Sequence, residues 1–77
     1  MTAMQRAAIR HIKWKIDENL YRDGYATFLV RDPEVQEALC KFYLQEGFEV
    51  KTFDNGQRRI SPIGWQSDQS DFNLNSL

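Results

Sequence analysis

Six residues decide where this chain can be regular. Its four glycines and two prolines spare the first 23 residues and then punctuate the rest at Gly24, Pro33, Gly47, Gly56, Pro62 and Gly64. Such spacing permits one long opening helix followed by short elements between turns. The stretch from Ala3 to about Tyr21 fits the helix. Ala8, Ile9, Ile12, Ile16 and Leu20 recur at helical intervals and form one apolar stripe. Arg22-Asp23-Gly24 stops it, with Gly24 free to take the left-handed conformation.

Tyr25 to Arg31 is rich in β-branched and aromatic residues and reads as a strand. Asp32-Pro33-Glu34 then starts a second helix: Asp32 can cap open N–H groups, Pro33 has the preset φ, and Glu34 suits the positive end of the dipole. Val35, Ala38, Leu39 and Phe42 give its inward stripe, and Gly47 ends it. Phe48 to Phe53 alternates apolar and charged residues, as a half-buried strand does. Asp54-Asn55-Gly56 is a hairpin turn that allows two registers. A two-residue loop sets Ile60 opposite Lys51, whereas a three-residue loop with a bulge at Gly56 sets it opposite Val50. The second keeps Ile60 on the buried face and is adopted here. Pro62 cannot donate to a ladder, so the last strand should stop near Ser61 or lie at an edge.

The expected fold is therefore α+β, in the order α-β-α-β-β, with both helices on one face of a three-stranded sheet. Placing the third strand between the other two makes every neighbouring pair antiparallel. Residues 1–65 form one domain, and the polar stretch 66–77 reads as a flexible tail. A chain of 77 residues buries roughly 60% of its unfolded surface, and a core of this size rarely supplies more than about 3–5 kcal/mol net. Cys40 is the only cysteine, so no disulfide forms within the chain, and His11 with Cys40 cannot complete a zinc site. No cofactor is expected. Ten basic and eleven acidic residues give a net charge of −1, so no global field draws the protein to nucleic acid or membrane. Charges interrupt every apolar run, which points away from a secretory leader or a membrane span and towards the cytoplasm.

One feature exceeds what a core requires. At 100° per residue, Trp14 and Tyr21 lie nearly opposite the isoleucine stripe of the first helix, and Cys40 and Leu44 point away from the inward side of the second. Each helix is thus apolar on two sides, where a two-layer fold covers one. Two readings follow. The tail, through Phe72, Leu74 and Leu77, folds back over the first helix; or Trp14, Tyr21, Cys40, Leu44 and Phe72 contact a protein partner or a second copy. Beside the aromatic ridge runs a basic stripe of Arg6, Arg10 and Lys13, and Arg58-Arg59 follow the hairpin. Together they offer an alternative, an anion site for nucleic acid or nucleotide phosphate. The plainer account is a solvated face in which Lys13 pairs with Asp17, and edge protection for the arginines. Catalysis is not expected, because His11 lacks an acid or nucleophile partner and Cys40 sits mid-helix, away from an activating N-terminus.

The run Leu44-Gln45-Glu46-Gly47-Phe48-Glu49-Val50, followed by Asp54-Asn55-Gly56 and by Arg59-Ile60-Ser61 with Trp65, resembles small tailed-phage accessory proteins. In these a helix ends in Gly-aromatic-x-Val and a hairpin finishes in an Ile-Ser-Trp-like strand. The resemblance spans residues 25–65, and here Pro62-Ile63-Gly64 separates Ser61 from Trp65. It implies a virion-associated or host-binding protein and assigns no functional residue.

Overall fold

The computed structural model describes residues 1–64, and its elements follow the expected order: α1 Ala3–Asp23, β1 Ala26–Phe28, α2 Pro33–Gln45, β2 Phe48–Thr52 and β3 Arg58–Pro62. The sheet runs β1-β3-β2 with both pairings antiparallel. The helices pack on one face, α1 against β1 and α2 mainly against β2. Residues 66–77 and Trp65 lie outside the described residues, so the tail reading does too.

Helix α1 opens on a capping box that links Thr2 and Gln5 in both directions. The Gln5 amide donates to Thr2 Oγ1 at 3.1 Å, and the Thr2 amide donates to Gln5 Oε1 at 2.8 Å. Gln5 Nε2 then reaches across to Asp32 Oδ2 at 2.9 Å and Glu34 Oε1 at 3.1 Å. That bond, with the open amides of Glu34 and Val35, holds the Asp32 carboxyl below the usual carboxylate range. Further along, Lys13 meets Phe42 and Asp17 meets Tyr43. The two helices therefore run in the same direction, with their N-termini side by side.

The hairpin takes the longer of the two loops. Phe53 N–H donates to Gln57 O at 2.9 Å, and Gly56 N–H donates back to Phe53 O at 3.0 Å with Gly56 at φ 92°, the pattern of a glycine bulge. Val50 faces Ile60 and Lys51 faces Arg59. The Phe53–Gln57 bond also sets the alternation of the antiparallel ladder. Glu49 and Lys51 turn their main-chain groups towards β3, while Phe48, Val50 and Thr52 turn theirs to the outer edge, which is open among the described residues. On the other side, Ala26 and Phe28 bond to β3, and Thr27 alone faces outward.

Two expectations need correction. The first strand is three residues long, not seven. β3 begins only at Arg58, so Phe28 is the last residue with a partner; beyond it Val30 N–H donates to Gln36 Oε1 at 3.2 Å, which turns the chain into α2. The second is edge protection by Arg58 and Arg59: β3 is the central strand, so they protect no edge. Pro62 does end β3 beside Ser61, as expected; by the same alternation its nitrogen faces the β1 side, where the ladder has already ended at Ala26, so no bond is lost.

The core joins Ile16 of α1, Val35, Leu39 and Tyr43 of α2, and Ala26, Phe28 and Ile60 of the sheet. Ile9, Ile12, Leu20, Phe42, Phe48 and Val50 pack around it. At roughly 25 cal/mol per Å² of apolar surface removed from water, this cluster is the main source of stability. Tyr43, which is not part of the inward stripe read from the sequence, is nevertheless a core residue at 2% exposure.

Candidate functional site

The contact between the helices explains the position of Tyr43. Its hydroxyl donates to Asp17 Oδ1 at 2.6 Å and lies 3.4 Å from Lys13 O. A buried phenol needs such a partner, and a carboxylate supplies a strong one. Burial first, and Asp17 second, push the Tyr43 hydroxyl well above its ordinary value. Lys13 is then not used on Asp17, as the sequence proposed. Its Nζ sits 3.8 Å from the centre of the Phe42 ring, a cation–π contact. Phe42 and Tyr43 meet edge to face at 4.9 Å, and Tyr43 meets Phe48 at 5.9 Å.

Among the described residues, the outer side of α1 has no such cover. Trp14 is 63% exposed and Tyr21 is 94% exposed, and their spacing of seven residues puts both on one side of the helix. Ala7, also exposed, continues that side towards the N-terminus. The sequence identified this ridge by subtracting the core stripe from the helical wheel.

Leu44 and Cys40 occupy a different place. They lie on the side of α2 away from α1 and line a groove of about 450 Å³ with Val50, Thr52, Arg58 and Glu37. Leu44 is 56% exposed, while Cys40 is half-buried and packs against the core. Burial raises the Cys40 thiol, and the nearby Arg58 guanidinium only partly offsets it, so the sulfur stays protonated at neutral pH. The expected partner residues thus form two surfaces, Trp14 with Tyr21 and Cys40 with Leu44; Phe72 lies outside the described residues.

The five cations of the alternative anion site are not brought together. Arg6 donates to Met1 O at 3.0 Å, Arg10 is exposed on α1, and Lys13 covers Phe42. Arg58 and Arg59 point to opposite faces of β3. Arg58 donates to Gly56 O at 2.6 Å on the helix side. Arg59 faces Lys51 on the other side, and both cations approach the Phe53 ring, at 5.6 and 5.5 Å. That ring tempers the like-charge pairing of Arg59 with Lys51. His11 is exposed. Among the described residues there is no group of three or more His, Cys, Asp or Glu able to hold a metal, and no helix long and apolar enough to cross a membrane.

Neither a protein-family model nor a curated protein nor a solved structure matches this chain.

Proposed function

We propose that this protein is a non-catalytic protein-binding module whose α1 ridge anchors a protein partner. The observation that carries the reading is the exposure of Trp14 and Tyr21 on one side of a helix whose opposite side already serves the core. Trp and Tyr are the residue types that most often dominate binding energy, because each removes a large apolar area from water while keeping a polar tip satisfied. The protonated Cys40 thiol supports a binding role over thiol chemistry. A lone cysteine fits a reducing cytoplasm. The resemblance to tailed-phage accessory proteins adds a virion or host protein as the class of partner.

Affinity capture with the full chain tests this, followed by titration of the captured protein. Trp14→Ala should weaken its binding by roughly 30-fold, the effect of losing an anchor worth about 2 kcal/mol. A partner held equally by Trp14→Ala and Tyr21→Ala variants would remove the ridge from the account.

A further inference from the structure

A surface on the other side of the molecule carries a separate inference. We propose that the open edge of β2 pairs with β2 of a second copy, antiparallel about a two-fold axis through Val50, joining two sheets into one of six strands. The main-chain groups of Phe48, Val50 and Thr52 point outward at this edge, as the hairpin bond from Phe53 to Gln57 requires. With Val50 opposite Val50 of the second copy, Phe48 falls opposite Thr52 and Thr52 opposite Phe48. Every outward N–H on the strand then meets a carbonyl.

The charges select the same register. Glu49 falls opposite Lys51 of the second copy, and Lys51 opposite its Glu49. Both pairs fall at the close, non-hydrogen-bonded positions of the new ladder, where cross-strand ion pairs are favourable. An axis through Glu49 or Lys51 would instead set like charges face to face. An axis through Phe48 or Thr52 would shorten the ladder. Phe48–Thr52 contains neither proline nor a bulge, and its two charges, Glu49 and Lys51, are of opposite sign, so they oppose a foreign strand of like charge but match a second copy in this register. The edge is self-complementary in charge, so the occupant it fits best is its own copy.

The flanking groove adds an apolar component. Leu44, Cys40 and Val50 line it beside the edge, and a second copy brings the same three residues alongside. This accounts for the second apolar side of α2 by an interface separate from the α1 ridge. Either proposal can fail without the other.

The test is the mass of the full chain in solution across a concentration series, by light scattering or sedimentation, with folding checked by circular dichroism. The wild type should dimerise. Glu49→Lys turns each cross-strand pair into lysine against lysine, and Lys51→Glu turns each into glutamate against glutamate. With two reversed pairs per dimer, each variant alone should raise the dimer dissociation constant by about tenfold or more. Mixing the two variants should restore a dimer, because both cross-pairs become complementary, and the double variant should dimerise by itself. A wild-type monomer at every concentration would overturn the proposal. So would a dimer indifferent to both charge reversals, or one abolished by Trp14→Ala and not by them.

Discussion

Tyr43 and Tyr21 are the same residue in the same kind of element, yet one is 2% exposed and the other 94%. Around Tyr43, the seam between α1 and α2 has Phe42 and Phe48 against the ring and Asp17 at the hydroxyl. Around Tyr21, helix α1 has already turned its isoleucines the other way. A tyrosine in a small domain is buried where its oxygen finds a partner at the depth its ring requires; otherwise it remains available to something outside the chain.

Removing the ring from the seam is the strongest way to probe that contrast. Tyr43→Ala should cost about 3–5 kcal/mol, as loss of a buried aromatic does. Against the few kcal/mol a domain of this size holds, it should be largely unfolded in a urea titration followed by circular dichroism. If it lost under about 1 kcal/mol, the low end for any buried contact, the seam would not be the structural centre described here.

Tyr43→Phe sharpens the comparison by keeping the ring and deleting the bond to Asp17. A loss of about 1–1.5 kcal/mol is expected. The variant should also change the response to alkali. The folded-state value of this hydroxyl is raised, so its contribution is fully present below about pH 10, the ordinary phenol value. Above that pH the unfolded chain holds fewer protons than the folded one, and stability falls as pH rises. Denaturant midpoints measured from about pH 9 to 11, around that ordinary value, should decline less steeply for Tyr43→Phe than for the wild type.

On the ridge the effects on folding should be smallest. Trp14→Ala and Tyr21→Ala should each shift stability by no more than about 0.5 kcal/mol, measured in the same urea titrations. A ridge substitution that cost about 2 kcal/mol, the scale of a buried side chain, would make that surface part of the fold and erase its difference from the seam.

Much of the architecture was legible because single residues have few alternatives. Asp32-Pro33 starts α2 with the Asp32 carboxylate accepting from the Glu34 amide at 3.0 Å. Gly47 and Gly56 take the positive φ that their turns demand. The choice of Val50 opposite Ile60 followed from keeping one face apolar. What stayed hidden depends on how elements meet. The length of β1 is set by where β3 begins, far along the chain. The exchange of partners among Lys13, Asp17, Phe42 and Tyr43 depends on two helices lying parallel, and neither helix encodes that alone. For the candidate site, the wheel located Trp14 and Tyr21 on one side of α1 without knowing the fold. It also turned Cys40 and Leu44 away from the inward side of α2, which holds for Leu44, whereas Cys40 packs against the core. It did not show that these two border an open strand, because that requires the order of the sheet.

The brevity of β1 limits what the sheet can template. With Thr27 as its single outward-facing residue, that margin is too short to recruit another strand, so growth is confined to the opposite margin. A ribbon that can be extended on one side only accepts one addition and then stops. The protein can thus keep a bare strand without the runaway stacking that two sticky margins would invite.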